Sequence, residues 1–207
     1  MDELKPGKRY PLLLYTRLLD MYRWAAFLLA VCFFVIAWIA RGGKVPYLPP
    51  SAEPWALLGG SVSAAFFVFT LFGQYMAYVQ CRPTHLRIQT AIFRLNVSYT
   101  RISEVRPVDF NQLFPPSRQP WSQRRYLEDL FGQTGIGLTL KSFPMDEGLL
   151  RLFYNRYMFL PDRTGFLLLA NDWMDLSAQI GHYRELNLAK RVEAKRPGRS
   201  GPNPFAK

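Results

Sequence analysis

The chain has 207 residues, enough for one or two domains, and its formal net charge at pH 7 is +11. A basic excess favours contact with anionic lipid or nucleic acid, but zinc-finger and RNA-binding signatures are absent, so we expect no nucleic-acid partner. The cysteines, Cys32 and Cys81, lack metal-site spacing, and their placement argues against a disulfide between them. Cys81 is either a plain thiol or a juxtamembrane palmitoylation site.

Residues 1–23 form a polar lead-in before the first apolar run, and we expect them to be cytoplasmic. Their apolar side chains recur at the spacing of an amphipathic helix that lies at a membrane interface, at Leu14, Leu18, Met21 and Tyr22. The segment is equally compatible with a lead-in that has no fixed structure. The sequence leaves both alternatives open.

Two apolar runs, residues 24–40 and 55–80, predict a two-helix transmembrane hairpin over residues 24–80. The second run contains no charged residue and exceeds the roughly 20 residues that cross a bilayer. Because a second span follows at once, we interpret the first as a retained helix rather than a cleaved signal. Basic residues flank the hairpin on the side of both termini. The positive-inside rule therefore predicts a multi-pass protein of the cell (inner) membrane with two spans and both termini cytoplasmic.

Small residues recur at four-residue spacing in the second span, which lets helix backbones approach closely in lipid. Gln74 is the most polar side chain in either span and can hydrogen-bond to a neighbouring helix. These positions serve either packing within the hairpin or contact with a helix of another chain. The candidate helix-packing residues are Gly59, Gly60, Ser63, Ala64, Gly73, Gln74 and Ala77.

Residues 81–190 have the patterns of a small cytoplasmic α+β domain. Apolar and polar residues alternate between Thr84 and Tyr99, which predicts two half-buried strands. Proline-rich residues 107–133 interrupt the strands as an insertion, with one short helix that begins at Pro120. Further strands are predicted at 135–141, 157–161 and 165–170, a helix or strand at 147–155, and an amphipathic helix from residue 173 that packs on the sheet. Residues 191–207 are predicted to be a basic disordered tail.

Several basic residues follow the second span, and a tryptophan and two arginines lie on the short helix of the insertion. Such side chains suit the headgroup region of an anionic membrane. The candidate lipid-headgroup contacts are Arg82, Arg87, Arg94, Trp121, Arg124 and Arg125. Alternatively, the insertion folds back onto its own domain instead of touching lipid.

The order of these elements resembles the bacterial pleckstrin-homology-like membrane proteins, in which a two-helix hairpin leads into a PH-like domain. The matching features are the hairpin, the strand pair in HLRIQTAIFRLNVSYTRISEV, the strand GIGLTLK, and YMFLPDRTGFLLLAND followed by WMDLSAQIGHYREL. The resemblance covers about residues 20–190. It implies a bent antiparallel sheet or small barrel capped by a C-terminal helix, and it supplies no catalytic residues.

No catalytic or metal-binding pattern is found in the sequence. His85 and His182 stand far apart, and neither has the spacing of a metal ligand. We therefore expect no enzyme, no catalytic residues, no metal and no cofactor. The favoured hypothesis is a non-enzymatic integral membrane scaffold, an accessory or assembly subunit whose partners are membrane lipids and other integral membrane proteins. The alternative is a membrane-anchored module that binds anionic lipid headgroups or a peptide partner.

Overall fold

In the computed structural model, which describes residues 6–42 and 50–195, two long helices pack side by side as a hairpin. Helix α1 spans Leu13–Gly42 and helix α2 spans Glu53–Met76. Both helices are long and apolar enough to cross a membrane. The predicted helical hairpin agrees with this structure, although residues 43–49 of the segment between the two predicted spans fall outside the described residues.

Seven strands in the described residues form two antiparallel sheets. The first sheet has the order β1 (Arg9–Pro11), β2 (Tyr78–Cys81), β3 (His85–Gln89) and β4 (Arg94–Ser98). The second has the order β5 (Ile102–Asp109), β6 (Thr134–Leu140) and β7 (Gly165–Leu168). Together with the helices they make an α+β domain, as predicted.

The hairpin is inserted between the first two strands of the first sheet. Arg9 pairs with Gln80 across these strands, and the Leu12 N–H donates to the Ala77 carbonyl at 3.1 Å. Strands β1 and β2 therefore lead directly into α1 and out of α2. The domain boundary predicted at residue 81 assigns most of β2 to the hairpin and β3 to the domain, although these two strands pair in one sheet. The sequence does not separate β2 from α2, because β2 continues the apolar run of the second span.

The described part of the lead-in, residues 6–23, contains no separate interfacial helix. Its residues form β1 and the first turns of α1, which begins at Leu13 rather than Trp24. These turns are held by the domain: the Leu13 N–H donates to the Leu169 carbonyl at 3.0 Å, and Leu14 is 3% exposed. Leu14 and Leu19 are buried by protein, whereas Met21 and Tyr22 are about half exposed, so the helical part of this segment continues into α1 with one side against the domain.

The hydrophobic core lies between the two sheets and the last helix, α6 (Trp173–Lys195). Alternate side chains of β3 and β4 point inward, and they include the fully buried Leu86 and Ile88. Helix α6 covers the core with one face, on which Leu176 and Ile180 are 0% exposed. The strands β3, β4, β6 and β7 and the final helix were all predicted. The predicted disordered tail, residues 191–207, is wrong at its start, because α6 continues through Lys195, and the rest of it lies outside the described residues.

The insertion begins later than predicted. Strand β5 runs through Pro107, which is tolerated because β5 is the edge strand and that position needs no ladder N–H. Between β5 and β6 lie the short helices α3 (Phe110–Leu113) and α4 (Trp121–Leu127), the latter beginning directly after Pro120 as predicted. Leu127 and Leu130 are 0% and 1% exposed. The insertion therefore folds back onto its own domain.

The segment before β7 also differs in part from the prediction. Residues 147–155 contain a helix, α5 (Glu147–Phe153), which Asp146 caps by accepting a hydrogen bond from the Gly148 N–H. The strand predicted at 157–161 is wrong. The Asn155 side chain accepts from the Tyr157 N–H and starts a helical turn, and only Phe159 forms a single bridge, to Phe166.

Candidate functional site

The glycines of α2 are used within the hairpin. A Cβ atom added to Gly59 would lie 3.1 Å from the Phe33 ring, and one added to Gly60 would lie 3.1 Å from the Phe34 ring. At the other end of α2, the Gly73 position faces Leu19 at the same distance. Ser63 and Ala64 are half-buried on this helix. These small residues let α1 and α2 approach closely.

Ala77 does not belong to the packing face of α2. It follows the last helical residue in an extended conformation, and it is 0% exposed within the domain core. The Gly73–Ala77 spacing is therefore not a helix-packing pair, because the chain has already left the helix. Gln74 lies on the last turn of α2, where its Oε1 accepts from the Arg23 guanidinium at 3.2 Å. Arg23 also pairs with Asp20 at 2.8 Å.

The outer face of the first sheet is basic. Arg9, Gln80 and Arg87 lie side by side across β1, β2 and β3, and Arg94 lies one row nearer the hairpin. Arg87 is 8% exposed, and its Nε has no hydrogen-bond partner in the described part of the chain. The four strands contain no acidic residue. The face therefore holds positive charge that carboxylates within the sheet do not neutralise.

The positive charge of this face acts on His85, which lies at the end of β3 that is farther from the hairpin. Burial lowers the pKa of His85, and the nearby cations of Arg82, Arg87 and Arg94 lower it further. A protonated imidazole is disfavoured there because like charges repel it in a poorly solvated place. Three of the predicted lipid contacts are thus close enough to act on one side chain.

The other three predicted contacts lie elsewhere, on α4. Trp121 is 76% exposed, and Arg125 is exposed beside it. The Arg124 guanidinium is engaged locally, since its Nε donates to the Gln119 carbonyl at 3.0 Å. The insertion lies beside the first turns of α1, where Asp129 pairs with Arg17 at 3.2 Å. The six candidate residues therefore form two separate groups rather than one site.

A cavity of about 390 Å³ lies where the hairpin meets the first sheet. The Arg9 guanidinium lies 4.9 Å from the centre of the Tyr78 ring, a cation–π contact. The sequence-based reasoning missed Arg9 because the three-residue strand that positions it has no recognisable period. The lining includes Arg9, Pro11, Thr16, Gln74, Tyr75 and Tyr78.

Cys81 lies at the end of β2 with its side chain fully buried. Burial raises its pKa to about 12, so the thiol is protonated at neutral pH and is a poor nucleophile. The alternative of palmitoylation at Cys81 is inconsistent with this burial. In the described residues, no three His, Cys, Asp or Glu side chains are grouped as metal ligands.

Comparison with protein-family models, with curated proteins and with solved structures finds no match to this chain. The resemblance to PH-like membrane proteins therefore stays a prediction from the sequence.

Proposed function

We propose that this chain is a non-enzymatic scaffold of the cell (inner) membrane, an accessory or assembly subunit of a larger membrane protein complex. Its hairpin crosses the membrane twice, both termini are cytoplasmic, and its α+β domain is PH-like. Its partners are other integral membrane proteins and the surrounding lipid.

The observation that carries this proposal is the continuity between the hairpin and the domain core. Helix α1 begins inside the domain, where the Tyr15 hydroxyl accepts from the Asn155 N–H at 3.1 Å and Leu14 is buried. Both hairpin helices connect to adjacent strands of one sheet. Such attachment holds the domain in one orientation relative to the hairpin, and an assembly subunit that presents a surface to its partners requires that property.

Membrane placement is supported by the outward faces of the two helices. In the most apolar 18-residue stretch of each helix, only 22% is buried inside the protein. Large apolar side chains are exposed along both, among them Trp38 at 81% and Val62 at 62%. A helix that is apolar on its exposed face is suited to lipid or to a partner helix rather than to water.

The PH-like assignment is supported by the order of the elements. A four-stranded and a three-stranded antiparallel sheet are followed by one long helix that covers the core. The strands and the closing helix that follow the hairpin fit the order that the resemblance implies, whereas β1 precedes the hairpin and lies outside the resemblance. The hairpin takes the place of the connection between the first two strands.

The proposal is tested by gentle detergent extraction of native membranes that contain the chain with a C-terminal affinity tag. Native gel electrophoresis and mass spectrometry then identify the proteins that migrate with it. We expect a defined set of larger integral membrane proteins. Membranes with the untagged chain control for nonspecific carry-over, and migration alone or as a small homo-oligomer would overturn the scaffold proposal.

A further inference from the structure

The cavity at the foot of the hairpin combines apolar walls with one cation. Pro11, Tyr75 and Tyr78 are among the apolar and aromatic residues that line it, and Arg9, on strand β1, lies on the sheet side of the cavity. Its volume of about 390 Å³ is within the range of small-molecule sites. This pairing suits an amphipathic ligand that carries a negative group at one end.

The charge around the cavity favours an anion. Among the described residues, no carboxylate forms a salt bridge with Arg9, in contrast to Lys8, whose Nζ lies 2.9 Å from Asp172. Arg87 and Arg94 extend the positive face away from the cavity along strands that contain no acidic residue. An anion bound at Arg9 therefore gains attraction from several cations.

The position of the cavity specifies the class of anion. Thr16 of α1 and Gln74 and Tyr75 of α2 line it, and these residues lie between the sheet and the uncharged parts of the helices. Tyr75 is 77% exposed. With the hairpin in a bilayer, this level is the headgroup region, where amphipathic aromatic side chains and cations are favoured.

We propose that this cavity binds one anionic phospholipid, with its phosphate against Arg9 and its glycerol and upper acyl region along Tyr75 and Tyr78. The proposal rests on the membrane placement in the proposed function, and it adds a ligand site that the scaffold role does not require. Charge-assisted hydrogen bonds from arginine to phosphate and apolar contact with the rings would hold the lipid.

The test measures lipid retention by the full chain purified in detergent. Native mass spectrometry is carried out after addition of phosphatidylglycerol, of phosphatidylcholine, or of inorganic phosphate. We expect one retained phosphatidylglycerol and little phosphatidylcholine. The Arg9→Gln variant should retain roughly tenfold less, because it loses a charge-assisted contact. Arg191→Gln is the matched control: it removes the same charge from an exposed position on α6 and should bind like the wild type.

A second variant tests the apolar half of the site. Tyr75→Ala removes an exposed wall residue and should also weaken retention of phosphatidylglycerol, while circular dichroism shows whether the fold is kept. Equal retention of the two lipids, or unchanged retention by Arg9→Gln, would overturn the proposal. Displacement of the bound phosphatidylglycerol by millimolar inorganic phosphate would also overturn the proposal, because the cavity would then be a site for a free anion. Loss of the lipid site while the partners still co-migrate leaves the scaffold proposal standing.

Discussion

Strand β1 lies before the hairpin in sequence but pairs within the domain, and Leu14 in the first turn of α1 is buried in the domain core. We predict that a fragment of residues 78–195, which lacks both, does not fold. It loses Tyr10, Leu12 and Leu14, which are 1%, 1% and 3% exposed in the full chain. At about 1.5–3 kcal/mol for each buried side chain, the loss is about 5–9 kcal/mol. A whole domain is typically stable by only about 5–15 kcal/mol.

Circular dichroism and two-dimensional NMR of the fragment test this prediction. We expect no cooperative thermal transition and poor dispersion of the amide signals. A cooperative transition with well-dispersed signals would refute the reasoning, because it would mean that β1 and the buried start of α1 contribute little to stability.

A second fragment provides the control for this experiment. It joins residues 6–12 to residues 77–195 through an Asn-Gly turn, which is feasible because the Leu12 nitrogen lies 3.1 Å from the Ala77 oxygen. It restores β1 with Tyr10 and Leu12 but not Leu14, so it should regain a cooperative transition at a lower stability than the domain has in the full chain. In the full chain, Leu12→Ala should lower stability by about 2–5 kcal/mol. Met174→Ala, at a residue that is 68% exposed, should change it by less than about 0.5 kcal/mol.

Three further predictions concern single side chains. Gly60→Leu should destabilise the hairpin in detergent melts by about 1–3 kcal/mol, since the new side chain meets the Phe34 ring, whereas Leu at the exposed Ala65 should be tolerated. In a Cys32→Ser background, native Cys81 should resist iodoacetamide at about pH 8 and react after denaturation; rapid native alkylation would contradict its burial and its pKa of about 12. The free energy of unfolding should decrease as the pH falls below about 6.5, because His85 takes up a proton more readily in the unfolded chain than in the native one. Denaturant titrations of His85→Gln should show a weaker pH dependence of stability than the wild type. The same pH dependence in both proteins would contradict this prediction.

The sequence predicted the elements whose signal is local. Apolar runs identified both hairpin helices, alternation identified β3 and β4, and Pro120 marked the start of α4. The apolar runs and the alternation record which side chains are buried or lipid-facing, and a proline at a helix start acts through its own fixed backbone angle, so each signal is contained in a short stretch of sequence. The strand predicted at 157–161 failed because Asn155 caps a turn whose buried side chains imitate a strand pattern.

The candidate site was only partly accessible to this reasoning. Small residues of α2 indicated close helix packing, but the partner surface on α1 and the displacement of Ala77 into the domain core depend on the fold. Likewise, the arginines and Trp121 suited a membrane surface, but their division between the first sheet and α4 follows from strand register and from the folding of the insertion.

The sequence by itself determined that two apolar helices precede a basic α+β domain, because hydrophobicity, charge and short periods are properties of neighbouring residues. Only the tertiary structure decided that β1 belongs to that domain and that the hairpin is inserted into its first sheet. Arg9 and Tyr78 lie on either side of the whole hairpin in sequence, and they are brought together only by strand pairing across its base. Such contacts form only when the two ends of a long chain segment come together, and no pattern among neighbouring residues predicts which ends will meet.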